Sequence, residues 1–264
     1  MSWQPFEDLN LHGFKPSWVF LDLDNTLWDF DGNAEEALHV LFQRHSIQEH
    51  TGASAEHFVR VYNRINHEYW ARYERGEVSK EVLRSARFTD SFRALGYPEA
   101  LIPQGIWKEY LELCPVLTRL MPGAREFVEQ IAKHCKLAIL TNGFEQTQTT
   151  KLACCGLGEH VEFMLSSEGL GHAKPSQLFF QAALQRAQVE ASECLYVGDT
   201  FRTDVIGGIE SGIRTAWYLR EREVVEAEST DAAEWKDWEP GDESLYLGCF
   251  QHLPQLAAAL LTGF

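Results

Sequence analysis

Basic residues are scarce in this sequence: 23 Lys and Arg stand against 39 Asp and Glu, a formal charge of −16. So acidic a chain argues against a nucleic-acid polymer or an anionic membrane as partner, and gives no general attraction to an anionic substrate. Any anion site must therefore be built locally. Long apolar runs are missing too. The longest uncharged one, "LPQLAAALLTGF", is too short to span a bilayer and reads as a last packing helix. The N-terminal "MSWQPFEDLN" lacks the basic segment and apolar core of a secretory signal, so a cytoplasmic location is expected. Six cysteines form no CxxC pair and ten histidines form no HExxH, which excludes the common zinc patterns and leaves reduced thiols as the expectation. "GLGHAK" and "GGIESG" are glycine-rich, yet neither gives GxGxxG or GxxxxGK[ST] between a strand and a helix. Gly207 and Gly208 read instead as sites of close helix–sheet packing.

What is present is a full core. Hydrophobic residues make up 45% of 264, enough for one large domain or a domain with an insert. Short apolar runs predict strands at "WVFLDLD" (18–24), "KLAILTN" (136–142), "VEFMLSS" (161–167), "CLYVGD" (194–199), "RTAWYLR" (214–220) and "SLYLGCF" (244–250). Helical patterns separate them: "GAREFVEQIAKH", "EQTQTTKLACCG", "PSQLFFQAALQRAQ" and "DVIGGIESG". Such alternation implies an α/β fold, a doubly wound, Rossmann-like parallel sheet covered on both faces.

Residues 32–116 break that rhythm. They hold no convincing strand, and Phe58, Tyr62, Ile65, Tyr69 and Tyr73 recur at three- and four-residue spacing as one buried helical stripe. "SKEVLRSARFTDSFRALG" and "PEALIPQGIWKEYLELC" continue the helical theme. The expected organisation is a core domain of 1–31 and 117–264 with an inserted α-helical cap domain at 32–116. The acidic, aperiodic stretch 221–243 is expected to be an exposed loop.

In open parallel sheets, ligands bind beyond the carboxyl ends of the strands. Four strands here end in residues of catalytic type: Asp22, Asp24 and Thr26; Thr141, Asn142 and Gly143; Lys174, in the loop after the third; and Asp199, followed by Asp204. Singly, each has an ordinary structural reading as a cap or turn. Four on one sheet edge favour a site. Asp22 and Asp24, two apart on a strand, are expected to project to the same side. Clustered with Asp199, they are tolerable around a divalent cation, and all-oxygen ligation favours Mg²⁺. Magnesium in turn suits a phosphoryl substrate, whose remaining oxygens Thr141 and Lys174 would bind.

"DLDNTL", "TNG", the Lys of "HAKP" and "GDTFRTD" together resemble the four motifs of the haloacid-dehalogenase-like hydrolases. The resemblance implies a covalent mechanism: Asp22 matches the nucleophile that forms an aspartyl-phosphate, and Asp24 the general acid and then base. It matches Thr141, Asn142 and Lys174 to the phosphate site. Asp22, the main-chain carbonyl of Asp24 and Asp199 match the magnesium ligands, and Asp204 an acid that orients Lys174 or a water on the metal. Asp24 also sets this chain with the family's phosphatases and phosphomutases, since true dehalogenases lack an acid there.

The helical stretch "YNRINHEYWARYERGEVSKEVLRSARF", with "TNGFEQTQ" and "GDTFRTDVIGGI", is similar to the pyrimidine 5′-nucleotidase branch, which acts on UMP, dUMP and dTMP. The start "DLDNTL" also resembles N-acylneuraminate-9-phosphatase, so a sugar-phosphate phosphatase and a phosphomutase stand as alternatives. Outside enzymes, a non-catalytic regulator of this fold would be expected to lose Asp22 or Asp24. The expected partner is a small phosphorylated metabolite. In the insert, Asn63, His67, Trp70 and Arg87 could face the substrate, with Trp70 or Phe88 offering an aromatic face to a base. Equally, Trp70 could extend the packed stripe and Arg87 make a salt bridge.

Overall fold

The computed structural model describes residues 6–11, 13–220, 238 and 241–262, so the expected loop at 221–243 falls almost wholly outside the described residues. The chain forms two compact units. One joins the residues up to Asp29 to those from Thr118 onward, and the other is Phe30–Leu117.

The first unit is built on β1 (Trp18–Leu21), β2 (Lys136–Thr141), β3 (Phe163–Ser166), β4 (Cys194–Gly198), β5 (Arg214–Tyr218) and β6 (Tyr246–Phe250). All six are parallel, in the order β3-β2-β1-β4-β5-β6. The helices in chain order are α1 (Phe30–Arg44), α2 (Ile47–Thr51), α3 (Ala55–Glu74), α4 (Lys80–Ala94), α5 (Ile106–Leu113), α6 (Ala124–Ile131), α7 (Glu145–Cys155), α8 (Ser167–Leu170), α9 (Gln177–Ala187), α10 (Gly207–Glu210) and α11 (Leu253–Leu261). Each apolar run of the sequence contains a strand, so the doubly wound α/β expectation holds.

Every residue of β1 is buried, as a central strand covered on both faces requires. Trp18 and Phe20 share one face with Ala138, Leu140, Cys194 and Tyr196, against Phe179, Phe180 and Ala183 of α9. Val19 and Leu21 alternate to the other face and are equally buried. Gly207 and Gly208 let the chain after β4 lie close on the sheet: a Cβ on Gly207 would stand 2.7 Å from the Phe180 ring, and one on Gly208 would strike the Thr215 hydroxyl. Residues 7–10 bond along the outer side of β6, with the Leu9 amide donating to Cys249 O at 3.1 Å and the Cys249 amide to Glu7 O at 2.8 Å. That segment covers an otherwise open sheet edge. Gly248, at φ +94°, is needed there because a Cβ would lie 2.5 Å from Asp8 O.

The strand order has one consequence for function. β1 pairs with β2 on one side and β4 on the other, and the chain winds outward in opposite directions from that point. A crevice forms where the connections diverge, beyond the carboxyl ends of β1 and β4.

The second unit is helical. Ser54 and Ser79 cap α3 and α4, accepting from the amides of His57 and Val82. The predicted stripe is largely buried: Phe58, Tyr62, Ile65 and Tyr69 face inward, while Tyr73 is only half-buried. Tyr62 packs on Phe88 with ring centroids 4.8 Å apart. "PEALIPQGIWKEYLELC" is not one helix. Pro103 lacks an amide donor and Gly105 adopts φ +85°, so α5 begins only at Ile106. All six cysteines are free thiols. Among the described residues, no helix is long and apolar enough to cross a membrane.

Candidate active site

Asp22 is the first residue past β1, and its amide still donates to Val197 O of β4 at 2.9 Å. This places its carboxylate at the crevice. Its Oδ1 accepts from Lys174 Nζ at 2.6 Å and its Oδ2 from Thr26 Oγ1 at 3.3 Å. Thr26 also lies 3.5 Å from Asp199 Oδ1. Carboxylate oxygens of Asp22, Asp199 and Asp204 gather within 4.8 Å of one another, and all three residues are buried. Burial pushes the Asp22 carboxyl up to about 7; Lys174 opposes the shift, and Asp204 and Asp24 add to it.

Lys174 is the counter-charge of the cluster. Its Nζ donates to Asp22 Oδ1, to Asp204 Oδ1 at 2.8 Å and to the Tyr196 hydroxyl at 2.9 Å. Burial works against its charge, yet Asp204 and Asp22 hold its ammonium above the ordinary lysine value. The main chain of Lys174 is fixed by Asn142, whose Oδ1 accepts from the Lys174 amide at 2.8 Å and whose Nδ2 donates to the Lys174 carbonyl at 3.0 Å. The Asn142 side chain thus anchors the lysine loop.

Asp204 is held just as firmly. Oδ1 accepts from Lys174 and from Tyr196 Oη at 2.7 Å, and Oδ2 from the Thr200 amide at 2.9 Å. It stands on a wide π-helical turn, Phe201–Ile206, which begins ahead of the helix expected from Asp204. Gly198 makes room for it: a Cβ there would run into the Asp204 carboxyl and lie 2.6 Å from its Cβ. Gly198→Ala should therefore cost about 1–3 kcal/mol by overpacking, read as a lower urea midpoint, with activity lost alongside as Lys174 shifts.

Asp24 departs from the expectation. β1 ends at Leu21, Asn25 turns left-handed at φ 60°, and strand alternation no longer governs the side chain. Its carboxylate leaves the acidic cluster and meets α7, with Lys151 Nζ 2.6 Å from Oδ1 and Gln148 Nε2 3.0 Å from Oδ2. The clustered carboxylates are thus Asp22, Asp199 and Asp204 rather than Asp22, Asp24 and Asp199. Thr141 Oγ1 accepts from Gln148 at 2.7 Å and from the Gly143 amide at 3.0 Å, which leaves its own O–H as a donor. Sequence reasoning missed Gln148, Lys151 and Arg220, whose Nη2 lies 3.6 Å from Asp199 Oδ2. For Gln148 and Lys151 the available signal is a polar helix carrying two residues three apart, which share one face.

Of the residues considered in the insert, Asn63 and His67 are exposed and Trp70 is half-buried, its ring edge-on to Tyr73 at 5.8 Å. Arg87 is 5% exposed; it donates to Asn66 Oδ1 at 2.6 Å and lies over the rings of Tyr110, Phe88 and Tyr62. Phe88 is fully buried and presents no face to a ligand, contrary to expectation.

The donor set suits an oxygen-preferring divalent cation. Carboxylate oxygens of Asp22 and Asp199 converge there with one of Asp204. Asp204 takes three donors, with Lys174 and Tyr196 on Oδ1 and the Thr200 amide on Oδ2, which fits it to orient Lys174.

The family model for haloacid dehalogenase-like hydrolases matches residues 16–212. The chain belongs to that family and is an enzyme of its hydrolase chemistry. Among its relatives is pyrimidine 5′-nucleotidase YjjG of Escherichia coli, 31% identical over 204 residues, covering 77% of this chain and 86% of that protein. Pyrimidine 5′-nucleotidase PynA of Streptococcus pneumoniae is 28% identical over 202 residues, 76% of this chain and 82% of the relative. The same fold appears in the magnesium-bound crystal structure of the HAD-hydrolase YfnB from Bacillus subtilis, with TM-score 0.74 and 24% identity over 94% of this chain and 99% of that one.

Proposed function

We propose that this protein is a magnesium-dependent phosphomonoester hydrolase, working through an aspartyl-phosphate on Asp22 and preferring pyrimidine nucleoside 5′-monophosphates. The observation that carries the reading is the Asp22 carboxylate, held at the crevice with the Lys174 ammonium 2.6 Å away and Asp199 and Asp204 beside it. A nucleophile, a cation for phosphoryl oxygens and an acidic metal cluster meet at one point. The names of YjjG and PynA support the nucleotide preference.

Asp22 attacks phosphorus in line; the bond from phosphorus to the ester oxygen breaks, and Asp24 supplies the proton that oxygen takes up. Lys174 and the Thr141 hydroxyl hold the phosphoryl oxygens. Asp24 then accepts a proton from water as its oxygen attacks phosphorus, and Asp22 leaves as a free carboxylate. Asp22, Asp199 and the Asp24 carbonyl would hold magnesium, which would supply positive charge to the phosphoryl oxygens.

The helical unit acts as the cap domain in this reading, and we assign recognition of the base to it, with Trp70 as the aromatic residue. The test is kcat/KM for UMP, dUMP and dTMP against hexose phosphates and N-acylneuraminate 9-phosphate. Nucleotides should lead by at least about tenfold, about 1.4 kcal/mol. A sugar phosphate leading by as much overturns the nucleotide assignment and leaves the phosphatase one. Trp70→Ala should raise KM for nucleotides more than for a small phosphate lacking the base.

A further inference from the structure

We propose that Lys151 and Gln148 are the positioning residues of the Asp24 carboxyl group, a two-point clamp that aims it for proton transfer during phosphoryl transfer. The inference rests on the acid–base role proposed for Asp24.

The clamp is built from four observations. Gln148 and Lys151 lie three residues apart on α7, so both project from one face, and they are 1% and 3% exposed. Each takes a different oxygen of Asp24: Lys151 Nζ at Oδ1, 2.6 Å, and Gln148 Nε2 at Oδ2, 3.0 Å. A carboxylate held at both oxygens by donors on one rigid helix has lost its rotation. The Lys151 ammonium also lies 4.2 Å from the centre of the Trp28 ring, which is fully buried and backs the ion pair. Finally, the Gln148 amide donates to Thr141 Oγ1 at 2.7 Å, so one side chain ties the proton-transfer residue to a phosphoryl-binding hydroxyl.

Plain packing does not account for this. Burying an ammonium and an amide carries a desolvation cost that a leucine at either position would avoid. Room is also made specifically for the glutamine. A Cβ on Gly143 would collide with the Gln148 amide and lie 2.9 Å from its Cγ, although no positive φ requires glycine there. The glycine of "TNG" is thus explained by the clamp.

In the first step Asp22 bonds to phosphorus, the ester oxygen leaves with its bonding electron pair and takes the proton that Asp24 carries, and the Lys151 ammonium stabilises the carboxylate this transfer leaves behind. That transfer matters most when the leaving alkoxide is basic. Loosening the carboxyl should therefore harm alkyl phosphates selectively.

The experiment measures kcat and KM with Mg²⁺ for Lys151→Met, Gln148→Leu, Asp24→Asn and wild type, on UMP and on p-nitrophenyl phosphate, whose leaving group needs no proton. Lys151→Met should lower kcat on UMP by about tenfold or more, with KM changed little and p-nitrophenyl phosphate affected several-fold less. Gln148→Leu, which removes only one point of the clamp, should show the same selectivity at smaller size, and serves if Lys151→Met does not fold. Asp24→Asn sets the scale. Equal losses on both substrates in the clamp variants, beside a selective loss in Asp24→Asn, overturn the proposal alone. An Asp24→Asn variant without selectivity overturns the acid role on which it rests.

Discussion

Asp22→Asn should reduce phosphate release by about 10⁴-fold or more, about 5.5 kcal/mol of barrier, while the protein stays folded. An amide oxygen is too weak a nucleophile to attack phosphorus, and a neutral group ligates magnesium poorly. Stability should hardly change. Lys174 keeps Asp204 at 2.8 Å and Tyr196 at 2.9 Å, and the cluster loses one of its three crowded carboxylates. The melting temperature without added metal is expected within a few degrees of wild type. Substantial turnover by the folded variant would remove Asp22 from the chemistry.

Lys174→Met should damage stability as well as activity. The lysine is 4% exposed and is the cation between Asp22 and Asp204, so methionine fills the volume but leaves buried carboxylates uncompensated. Breaking a buried pair in this way costs about 3–5 kcal/mol, a lower urea midpoint measured in chelator. Added Mg²⁺ should recover part of the loss by neutralising Asp22 and Asp199, without restoring phosphate release. A variant as stable as wild type in chelator would show that the Lys174 charge does not hold the cluster together.

The contrast between these two variants also shows what was legible in the sequence. Asp22, Lys174, Asp199 and Asp204 were readable because each ends or follows a strand, and parallel topology carries strand ends to one edge whatever the side-chain details. The direction of the Asp24 carboxylate is not legible, because period two holds only within a strand. β1 ends at Leu21, and the turn at Asn25 sends the carboxylate to α7. Gln148 and Lys151 went unnoticed because a polar helix of weak amphipathic pattern reads as solvent-facing until its buried side meets a charge. Phe88 was offered as a ligand face because a stripe of aromatics looks alike from sequence whether its partners are helices or a base. Packing against Tyr62 and Tyr110 settles it. The two bonds of the Asn142 side chain to the Lys174 main chain are not legible, because they depend on a loop 32 residues away that no local pattern reveals.

Phosphomonoester hydrolysis at this acidic crevice is proposed to need a divalent cation on Asp22 and Asp199. The most direct measurement strips the purified protein with chelator, titrates Mg²⁺ back, and follows phosphate release from UMP. Release should rise from background to a plateau as Mg²⁺ is added, and Asp199→Asn should shift the rise to much higher concentration. Undiminished release from the stripped protein would contradict the account, as would no release from UMP or any other phosphomonoester at any Mg²⁺ concentration.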